Sequence, residues 1–363
     1  MLKKIIITGG HATPALAVIE KIKSERSAPK IFYFGRKYVF DGSKKISFEY
    51  QQLTGQDQVS FITINAGRLP RQLNGYSIIS LLKIPLGFFQ SFCWLAKINP
   101  AVIVSFGGYL STPVVIAGWF LGIPSISHEQ TGSLGLANKI NSFFSKKVAV
   151  SFPEVLDQIP AKKGVLTGNP IGREKFSPSR KEAIFKFISE AKKPILFITG
   201  GKSGSKTINL TVRQALPKLK KNFAIIHQVG VDDCPTPQER GRYLRVRFIE
   251  ASYFDWLLFR SHLIVSRSGA NIVLRLAFFK KRAVLIPIPN SSGDEQNKNA
   301  KFLKGLNLAV VLKQDRLNQE SLIEAIRQAF LLKISPKYPP WWSEADPARA
   351  AGKIWRLAKE VAR

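Results

Sequence analysis

Cysteine and acidic residues are both scarce in this chain of 363 residues. The two cysteines, Cys93 and Cys234, lie far apart and outside any metal-ligand spacing, which argues against a disulfide framework or a zinc site and is typical of a reducing cytoplasm. Asp and Glu number 24 against 55 Lys and Arg, which gives a formal net charge of +31. A protein this basic is expected to bind polyanions, namely nucleic acid, an anionic membrane surface or phosphorylated substrates.

Nucleic acid is the least supported of these partners. The sequence has no zinc-finger spacing, no stacking-aromatic motif and no concentrated basic stripe, so no nucleic-acid partner is expected. We expect no secretion signal either, because the first apolar run is only Ile5 to Ile7. Hydrophobic residues at 45% and charged residues at 22% describe a globular protein, and the length is enough for two domains.

Two similar units, each a strand, a glycine loop and a helix, lie about half a chain apart. In the first, an apolar run precedes Thr8-Gly9-Gly10-His11 and a helical segment; in the second, residues 194–198 precede Thr199-Gly200-Gly201 and a helical segment over 207–219. Glycine lets a ligand approach the backbone without a Cβ in the way, and open parallel sheets bind ligands at the carboxyl ends of their strands. The repeat predicts two α/β domains that face one another.

The most apolar stretch of the chain, 76–96, contains a single charge, Lys83. Its length would be enough to span a bilayer. Pro85 and Gly87 interrupt it, however, and the buried strand that follows at 101–104 needs a covering helix before it in a parallel sheet. We therefore predict a helix of the fold rather than a transmembrane segment.

The same region lacks negative charge. No acidic residue occurs between Asp57 and Glu129, whereas four cations flank apolar side chains such as Trp94; these cations are Arg68, Arg71, Lys83 and Lys97. Apolar groups rimmed by cations suit a surface that lies on anionic lipid headgroups. We predict peripheral membrane contact here, and an ordinary core helix with a loop is the alternative.

Two further loops place polar groups after strands. Ser105-Phe106-Gly107-Gly108-Tyr109 is a third glycine turn, and 123–127 leads as a strand into His128-Glu129-Gln130. Three polar groups in one such loop indicate a site, and a hydrogen-bonded structural histidine is the alternative. His11, in the first glycine loop, can take a proton near neutral pH.

These motifs occur in one order along the chain. The full set is Thr8 to His11 with Pro14 to Ala17, Phe106 to Tyr109 with Pro113, Gly122 to Pro124, His128 to Gln130, Gly135 to Lys139, Thr167 to Pro170, Gly200-Gly201, Arg267 to Ala270, and Gln296 with Asn299-Ala300. Together they resemble the MurG family of bacterial cell-wall enzymes, the UDP-N-acetylglucosamine:undecaprenyl-pyrophosphoryl-N-acetylmuramoyl-pentapeptide glucosaminyltransferases. The resemblance covers about Lys3 to Ile326.

The resemblance implies a GT-B fold, in which two Rossmann-like domains with parallel sheets face each other across a cleft. It implies an N-terminal acceptor- and membrane-binding domain over 1–166 and a UDP-sugar-binding domain over 167–345. The implied reaction is inverting transfer of N-acetylglucosamine (GlcNAc) from UDP-GlcNAc to the 4-hydroxyl of the muramoyl sugar of lipid I, which yields lipid II for peptidoglycan synthesis. The family works at the cytoplasmic face of the plasma membrane, on an anionic surface, and needs no catalytic metal or other cofactor.

The resemblance also assigns roles to individual positions. His11 matches the base that deprotonates the acceptor hydroxyl, and Glu129, the second catalytic position, lies beside the reacting sugars. The acceptor-binding positions are Thr8, Gly9, Gly10, Gly107, Gly108, Tyr109 and Gln130. The UDP-sugar-binding positions are Thr131, Arg173, Lys202, Ser203, Gly204, Ile249, Arg267, Ser268, Gly269, Ala270, Arg275 and Gln296. Among these, Ile249 matches the uracil contact and Gln296 a donor-sugar contact, and the helix start after Arg267 offers backbone N–H groups to the departing UDP.

Four positions depart from the family pattern. Arg275 stands where the family typically has a glutamate that holds the ribose hydroxyls, and arginine cannot accept a hydrogen bond. Lys202 replaces a phosphate-side serine, where a point charge can still bind phosphate. Thr131 replaces an asparagine, and Gly172 precedes Arg173 where the family has arginine directly. These changes bear on nucleotide affinity and donor identity more than on the fold.

The C-terminal segment 346–363 reads as a helix. Asp346 followed by Pro347 is a helix start. One face is apolar, formed by Ala351, Ile354, Ala358 and Val361. We expect this helix to pack back on the first domain, and a solvent-exposed helix is the alternative.

Other functions remain open at this point. A UDP-sugar transferase with a different lipid acceptor would share the fold and the membrane surface but differ in the acceptor loops. A sugar-nucleotide epimerase of the same fold would lack the membrane surface predicted around 76–96. A non-catalytic relative that only binds the lipid carrier would tolerate Arg275.

Overall fold

The computed structural model describes residues 2–10, 12–38, 46–67, 75–171, 183–201, 203–230, 238–249 and 251–363. The chain forms two compact units, one of Met1–Arg173 with Pro340–Arg363 and the other of Glu174–Pro339. Each unit is built on a seven-stranded sheet with helices between the strands. The predicted α/β class with two Rossmann-like units is confirmed.

The first unit alternates strands and helices. Its strands are β1 (Lys4–Thr8), β2 (Lys30–Gly35), β3 (Val59–Thr63), β4 (Ile103–Ser105), β5 (Ser125–Glu129), β6 (Lys147–Val150) and β7 (Gly164–Leu166), and its helices before the second unit are α1 (Ala12–Lys23), α2 (Phe48–Leu53), α3 (Gly75–Ile98), α4 (Ser111–Phe120) and α5 (Leu136–Phe144). The strands are parallel in the order β3-β2-β1-β4-β5-β6-β7. The chain thus moves outward from β1 in one direction and then from β4 in the other.

Both faces of this sheet are covered. Ile5 and Ile7 pack into one hydrophobic cluster with α1, whereas Ile6 packs into a second cluster with α3 and α4. Side chains of a strand alternate between faces, so an unbroken apolar run is what a strand buried on both sides requires.

The second unit repeats the plan. Its strands are β8 (Ile195–Thr199), β9 (Ala224–Gln228), β10 (Gln238–Glu239), β11 (Tyr243–Val246), β12 (Leu263–Ser266), β13 (Ala283–Leu285) and β14 (Ala309–Val311), and its helices are α6 (Ala183–Ser189), α7 (Lys206–Asn222), α8 (Ala251–Arg260), α9 (Ala270–Phe278), α10 (Glu295–Gly305) and α11 (Gln319–Leu331). The order is β10-β11-β9-β8-β12-β13-β14; the short edge strand β10 is antiparallel to β11, and the other pairs among the described strands are parallel.

The last helix, α12 (Pro347–Val361), belongs to the first unit. The Asp346 carboxylate accepts a hydrogen bond from the Ala348 N–H, which confirms the predicted cap. Ile354, Trp355 and Ala358 are buried in the cluster that also contains residues of β1 and α1. Helix α12 therefore completes the covering layer on one face of the first sheet.

Helix α3 is the longest helix and carries Pro85 in its interior. In the part of the chain that the structure describes, no helix combines the length and the apolar character that crossing a bilayer takes.

Each sheet has one point where the strand order reverses. In the first it lies between β1 and β4, where Thr8 pairs with Ser105, and in the second between β8 and β12, where Thr199 pairs with Ser266. The loops that leave neighbouring strands at such a point run in opposite directions and open a crevice at the carboxyl edge of the sheet. The glycine loops of the sequence follow these four strands.

Candidate functional site

Two glycine loops meet at the switch point of the first unit. The Gly10 N–H donates to the Gly107 carbonyl at 2.9 Å. Gly9 has a φ of 140°, and a Cβ there would lie 2.8 Å from the Phe106 carbonyl carbon. Gly107 and Gly108 also have positive φ. Glycine is therefore required for the close packing of these two loops, which are the predicted acceptor loops.

Thr8, the last residue of β1, makes its contacts inside the first unit. Thr8 is fully buried, and its Oγ1 donates to the Phe34 carbonyl at 3.0 Å. Beneath the loop, the Tyr33 hydroxyl donates to the Gly9 carbonyl at 3.0 Å. Burial raises the pKa of this hydroxyl, so it keeps its proton and remains a donor. The hydrogen bond of Thr8 to Phe34 does not favour a contact with the acceptor, so the predicted acceptor contact of Thr8 stays a prediction.

Tyr109 ends the second loop beside a residue that the sequence reasoning did not select. Arg36, which directly follows β2, donates from Nη1 to the Tyr109 hydroxyl at 3.0 Å. Its Nε lies 3.6 Å from Oε1 of Glu49, a carboxylate that is almost completely buried. The sequence does contain a signal for Arg36, because this residue directly follows a strand, as the predicted site residues do. Glu49 lies on a helix, and the sequence contains no comparable signal for it.

The Glu129 carboxylate is fully occupied by the loop that it begins. One oxygen accepts from the N–H and the hydroxyl of Thr131, at 3.0 and 2.8 Å. The other accepts from the Gly135 N–H at 3.0 Å and from Asn138 Nδ2 at 2.9 Å. The side chain is buried. These contacts are those of a group that fixes the loop and the start of α5, so its catalytic role stays a prediction.

The neighbours of Glu129 are also buried. His128 lies with its Nε2 at 3.2 Å from the Gly168 carbonyl and 3.3 Å from the Ser151 hydroxyl, and its ring contacts Phe106. Gln130 is 6% exposed. The structural alternative for His128 fits these contacts.

Three predicted site residues lie outside the described residues, namely His11, Arg173 and Lys202. The same holds for Arg68 and Arg71 of the predicted membrane surface.

A second pair of loops meets at the switch point of the second unit. Gly204 has a φ of 75°, and a Cβ there would lie 1.9 Å from the Val229 carbonyl oxygen. The loop ends at Ser205, which caps α7 by accepting the Ile208 N–H. Arg267 reaches this cap from the neighbouring strand end, donating from Nη2 to the Ser205 hydroxyl at 2.8 Å. Residues 203–204 and Arg267, all predicted to bind the nucleotide, therefore lie together.

Arg267 is held at a second point as well. Its Nη1 donates to the Ile286 carbonyl at 3.1 Å. Burial lowers the pKa of its guanidinium. Gly269 then precedes α9 without a side-chain hydrogen bond to the first turn, so that the backbone N–H groups at the start of α9, beginning with Ala270, lack a side-chain cap.

Hydrogen bonds connect Ser268 to the start of α10. Its hydroxyl donates to the Gln296 carbonyl at 2.8 Å, and Asn299 Nδ2 donates to the Ser268 carbonyl at 3.0 Å. The side-chain oxygen of Gln296 accepts the Ile288 N–H at 3.0 Å. The predicted donor-side residues Ser268, Gly269, Ala270 and Gln296 are thus brought into one cluster.

Gln228, the last residue of β9, is a site residue that the sequence reasoning missed. Its side-chain oxygen accepts the Ile249 N–H at 3.1 Å, and its Nε2 donates to the Gly201 carbonyl at 2.9 Å. It therefore connects the predicted uracil contact, Ile249, to the glycine loop at Gly200-Gly201. The sequence signal for Gln228 is that a polar residue ends a largely apolar strand.

Among the described residues, no hydrogen bond or ion pair connects Arg275 to this cluster. It is 6% exposed, and its Nε donates to Asp255 Oδ1 at 2.6 Å. Its assignment to the UDP-sugar stays a prediction, and its contacts are those of an ion pair between α9 and α8. Among the described residues, no three His, Cys, Asp or Glu side chains are grouped as metal ligands.

Comparisons with known proteins fit this geometry. The glycosyltransferase family 28 N-terminal domain matches residues 6–150, and the glycosyltransferase family 28 C-terminal domain matches residues 195–338. The UDP-N-acetylglucosamine--N-acetylmuramyl-(pentapeptide) pyrophosphoryl-undecaprenol N-acetylglucosamine transferase of Clostridium novyi is 33% identical over 365 residues, which cover 98% of each chain.

Solved structures show the same fold. The chain aligns with Acinetobacter baumannii MurG at a TM-score of 0.66 and 24% identity, over 99% of each chain. It also aligns with a UDP-GlcNAc 2-epimerase from Neisseria meningitidis at a TM-score of 0.66 and 14% identity, over 99% of this chain and all of the other. Fold likeness at this level does not separate transferase from epimerase, whereas the full-length sequence similarity does. The chain belongs to the MurG family of glycosyltransferases, with the GT-B fold of that family.

Proposed function

We propose that this enzyme transfers GlcNAc from UDP-GlcNAc to lipid I, the undecaprenyl-pyrophosphoryl-linked N-acetylmuramyl-pentapeptide, and so forms lipid II. The observation that carries the proposal is the similarity over 98% of the chain to a relative named for this transfer. The geometry is compatible with it, because each unit presents glycine loops at its own switch point. In this proposal, one set of loops binds each substrate.

The acceptor side supplies the base in this proposal. His11 follows Gly10 directly, in the loop that bonds to Gly107. The 4-hydroxyl oxygen of the muramoyl sugar attacks C1 of GlcNAc while the His11 imidazole takes its proton, and the bond from C1 to the UDP oxygen breaks with inversion. Glu129 positions the neighbouring loop, since both of its oxygens are occupied by hydrogen bonds.

The donor side stabilises the leaving group. The diphosphate of UDP gains negative charge as the bond breaks, and the uncapped start of α9 and the Arg267 guanidinium carry positive charge at one edge of the second sheet. Gln296 and Ile249 complete the donor side as contacts to sugar and uracil. With these groups the proposed reaction requires no catalytic metal.

We further propose that the first unit binds an anionic membrane surface, at the cytoplasmic face of the plasma membrane. Helices α3, α4 and α5 pack side by side and expose an aromatic face, defined here as Phe89, Trp94, Trp119, Phe120 and Phe143. Phe120 contacts Phe88 across α3 and α4, and Trp119 contacts Phe144 across α4 and α5, so aromatic contacts connect the three helices. Lys97 lies over the Trp94 ring. Aromatic and apolar groups beside cations suit the headgroup region of anionic lipid.

Transfer of labelled GlcNAc from UDP-GlcNAc to a lipid I analogue, with wild type beside His11→Ala, tests the proposed reaction. We expect lipid II from wild type and a loss of on the order of a hundred-fold or more in the variant. Transfer from a different UDP-sugar would overturn the donor assignment. Binding of lipid I without transfer from any UDP-sugar would make the chain a lipid-carrier-binding protein, and conversion of UDP-GlcNAc to its 2-epimer would make it an epimerase.

A further inference from the structure

Arg36 occupies the acceptor edge of the first sheet. It directly follows β2, the neighbour of β1, and its side chain bonds to Tyr109 at the end of the Gly107-Gly108 loop. That loop in turn accepts the Gly10 N–H. A cation is therefore fixed beside both glycine loops of the first unit.

The start of α2 holds Arg36 at its backbone and at its side chain. The Ser47 hydroxyl donates to the Arg36 carbonyl at 2.6 Å, and the same oxygen accepts the Tyr50 N–H as the cap of α2. Glu49, in the first turn of that helix, faces the Arg36 Nε at 3.6 Å. Short-range contacts on both sides leave this arginine little freedom to rotate.

Tyr109 is the third attachment point. The Arg36 Nη1 donates to the Tyr109 hydroxyl, and the guanidinium carbon lies 5.8 Å from the centre of the tyrosine ring. Because the tyrosine oxygen accepts from Arg36, its own proton can be donated elsewhere. The pair thus presents a cation and a hydroxyl donor side by side.

The Arg36 side chain is only partly buried. The Arg36 side chain is 31% exposed, whereas Glu49 behind it is 7% exposed. Lys37, the next residue, lies over the rings of Tyr38 and Tyr50 and adds a second positive charge nearby. A guanidinium that is held in place on a partly exposed side chain suits phosphate oxygens, which it can bind through two parallel N–H groups.

We infer that Arg36 is a specificity-determining residue of the acceptor site, which orients Tyr109 and, together with it, binds an oxygen of the acceptor diphosphate. The inference rests on the proposed function, in which the acceptor carries a pyrophosphoryl group. Glu49 and Ser47 are positioning residues in this arrangement, because they hold the guanidinium without facing the ligand.

The first test is Arg36→Lys, which keeps a positive charge beside the buried Glu49 but loses the planar fork. The KM for a lipid I analogue should rise on the order of ten-fold, the size of one lost charge-assisted hydrogen bond, while the KM for UDP-GlcNAc and the melting temperature stay at the wild-type values. Arg327→Lys is the matched control, since Arg327 is an exposed arginine on α11 paired with Glu324. An unchanged acceptor KM, or an equal rise in both KM values with a lower melting temperature, would overturn the inference.

A double-mutant cycle examines the link to Tyr109. If the two side chains act through one contact, the variant with both Tyr109→Phe and Arg36→Lys should have an acceptor KM no higher than that of the single variant with the larger effect. Independent, multiplying effects would contradict the shared role.

Binding without turnover separates this inference from the proposed function. Calorimetry compares the Kd of a short isoprenyl diphosphate with the Kd of the corresponding isoprenyl alcohol. Wild type should bind the diphosphate more tightly than the alcohol. The difference between the two affinities should be smaller for Arg36→Lys. If wild type transfers no GlcNAc yet the diphosphate preference depends on Arg36, the proposed function fails and the inference stands. If transfer occurs but Arg36→Lys changes neither acceptor KM nor diphosphate preference, the inference fails and the proposed function stands.

Discussion

Arg275 and Asp255 form an ion pair in the interior of the second unit, with 2.6 Å between Nε and Oδ1 and each side chain 8% exposed. The pair joins α9 to α8. The sequence resemblance predicts a ribose-binding glutamate at the position of Arg275, and the charge of this arginine is compensated by Asp255 inside the protein. Arg267, Gln296 and the start of α9 are the groups that we propose to hold the nucleotide on the donor side.

We predict that Asp255→Ala lowers the free energy of unfolding of the second unit by about 3 kcal/mol or more, because it leaves a buried guanidinium without its partner. Arg275→Met combined with Asp255→Leu should recover most of that loss, since both charges are then removed together. Urea unfolding at neutral pH measures both. Glu324→Ala, which breaks the exposed pair with Arg327, is the control and should leave the unfolding midpoint unchanged. Equal midpoints for Asp255→Ala and the control would show that the buried pair does not stabilise the unit.

Glu129→Gln should slow GlcNAc transfer on the order of ten-fold. A carboxylate oxygen of Glu129 now accepts from each of two backbone N–H groups, whereas the amide nitrogen of glutamine would face one of them as a second donor. The lost hydrogen bonds should loosen the loop that follows β5. The acid limb of the pH–rate profile should remain, because another group is the base. Glu154→Gln, at an exposed carboxylate, serves as the control. If Glu129→Gln removes the acid limb, Glu129 is itself the base.

The pattern of apolar runs and glycine turns was enough to predict the fold. Buried parallel strands require continuous apolar residues, and loops at a switch point require glycine, so both features are local in sequence. Gly9, Gly107 and Gly204 confirm this, since each has a positive φ, and at Gly9 and Gly204 a Cβ would clash with backbone.

The partners of individual side chains could not be predicted in the same way. Arg275 pairs with a residue 20 positions away on another helix, and Arg36 bonds to Tyr109 across 73 positions. Glu129 occurs in a motif that suggests chemistry, but the number of donors around its carboxylate depends on how the next nine residues fold back. Such contacts follow from tertiary packing, which residue type and spacing alone do not specify.

The aromatic face should determine membrane binding. Trp119 and Phe120 are 53% and 64% exposed, so replacing both with serine removes apolar area without opening the core. We expect the affinity for vesicles that contain phosphatidylglycerol to fall at least about ten-fold, from the lost transfer of apolar surface. Leu331→Ser, at an equally exposed leucine of α11 in the second unit, is the control and should bind like wild type. If the double variant and the control bind equally well, another surface contacts the membrane.

His262 should make the stability of the second unit depend on pH. Its Nδ1 accepts the Ile195 N–H at 3.0 Å, which requires an unprotonated nitrogen. Burial lowers the pKa of the imidazole, and the nearby cations Lys281, Arg260 and Arg282 lower it further.

In the unfolded chain the imidazole titrates near its ordinary pKa of about 6.5, so as the pH falls below that value the unfolded state takes up a proton that the folded state does not. The free energy of unfolding should therefore decrease from about pH 6.5 down to the folded pKa, by a small amount because the His262 side chain is partly exposed to solvent. His262→Asn keeps an acceptor near the Nδ1 position but cannot titrate, so its urea midpoints at pH 7.5, 6.5 and 5.5 should fall less steeply than those of wild type. Parallel curves for the two proteins would assign the pH dependence to other groups.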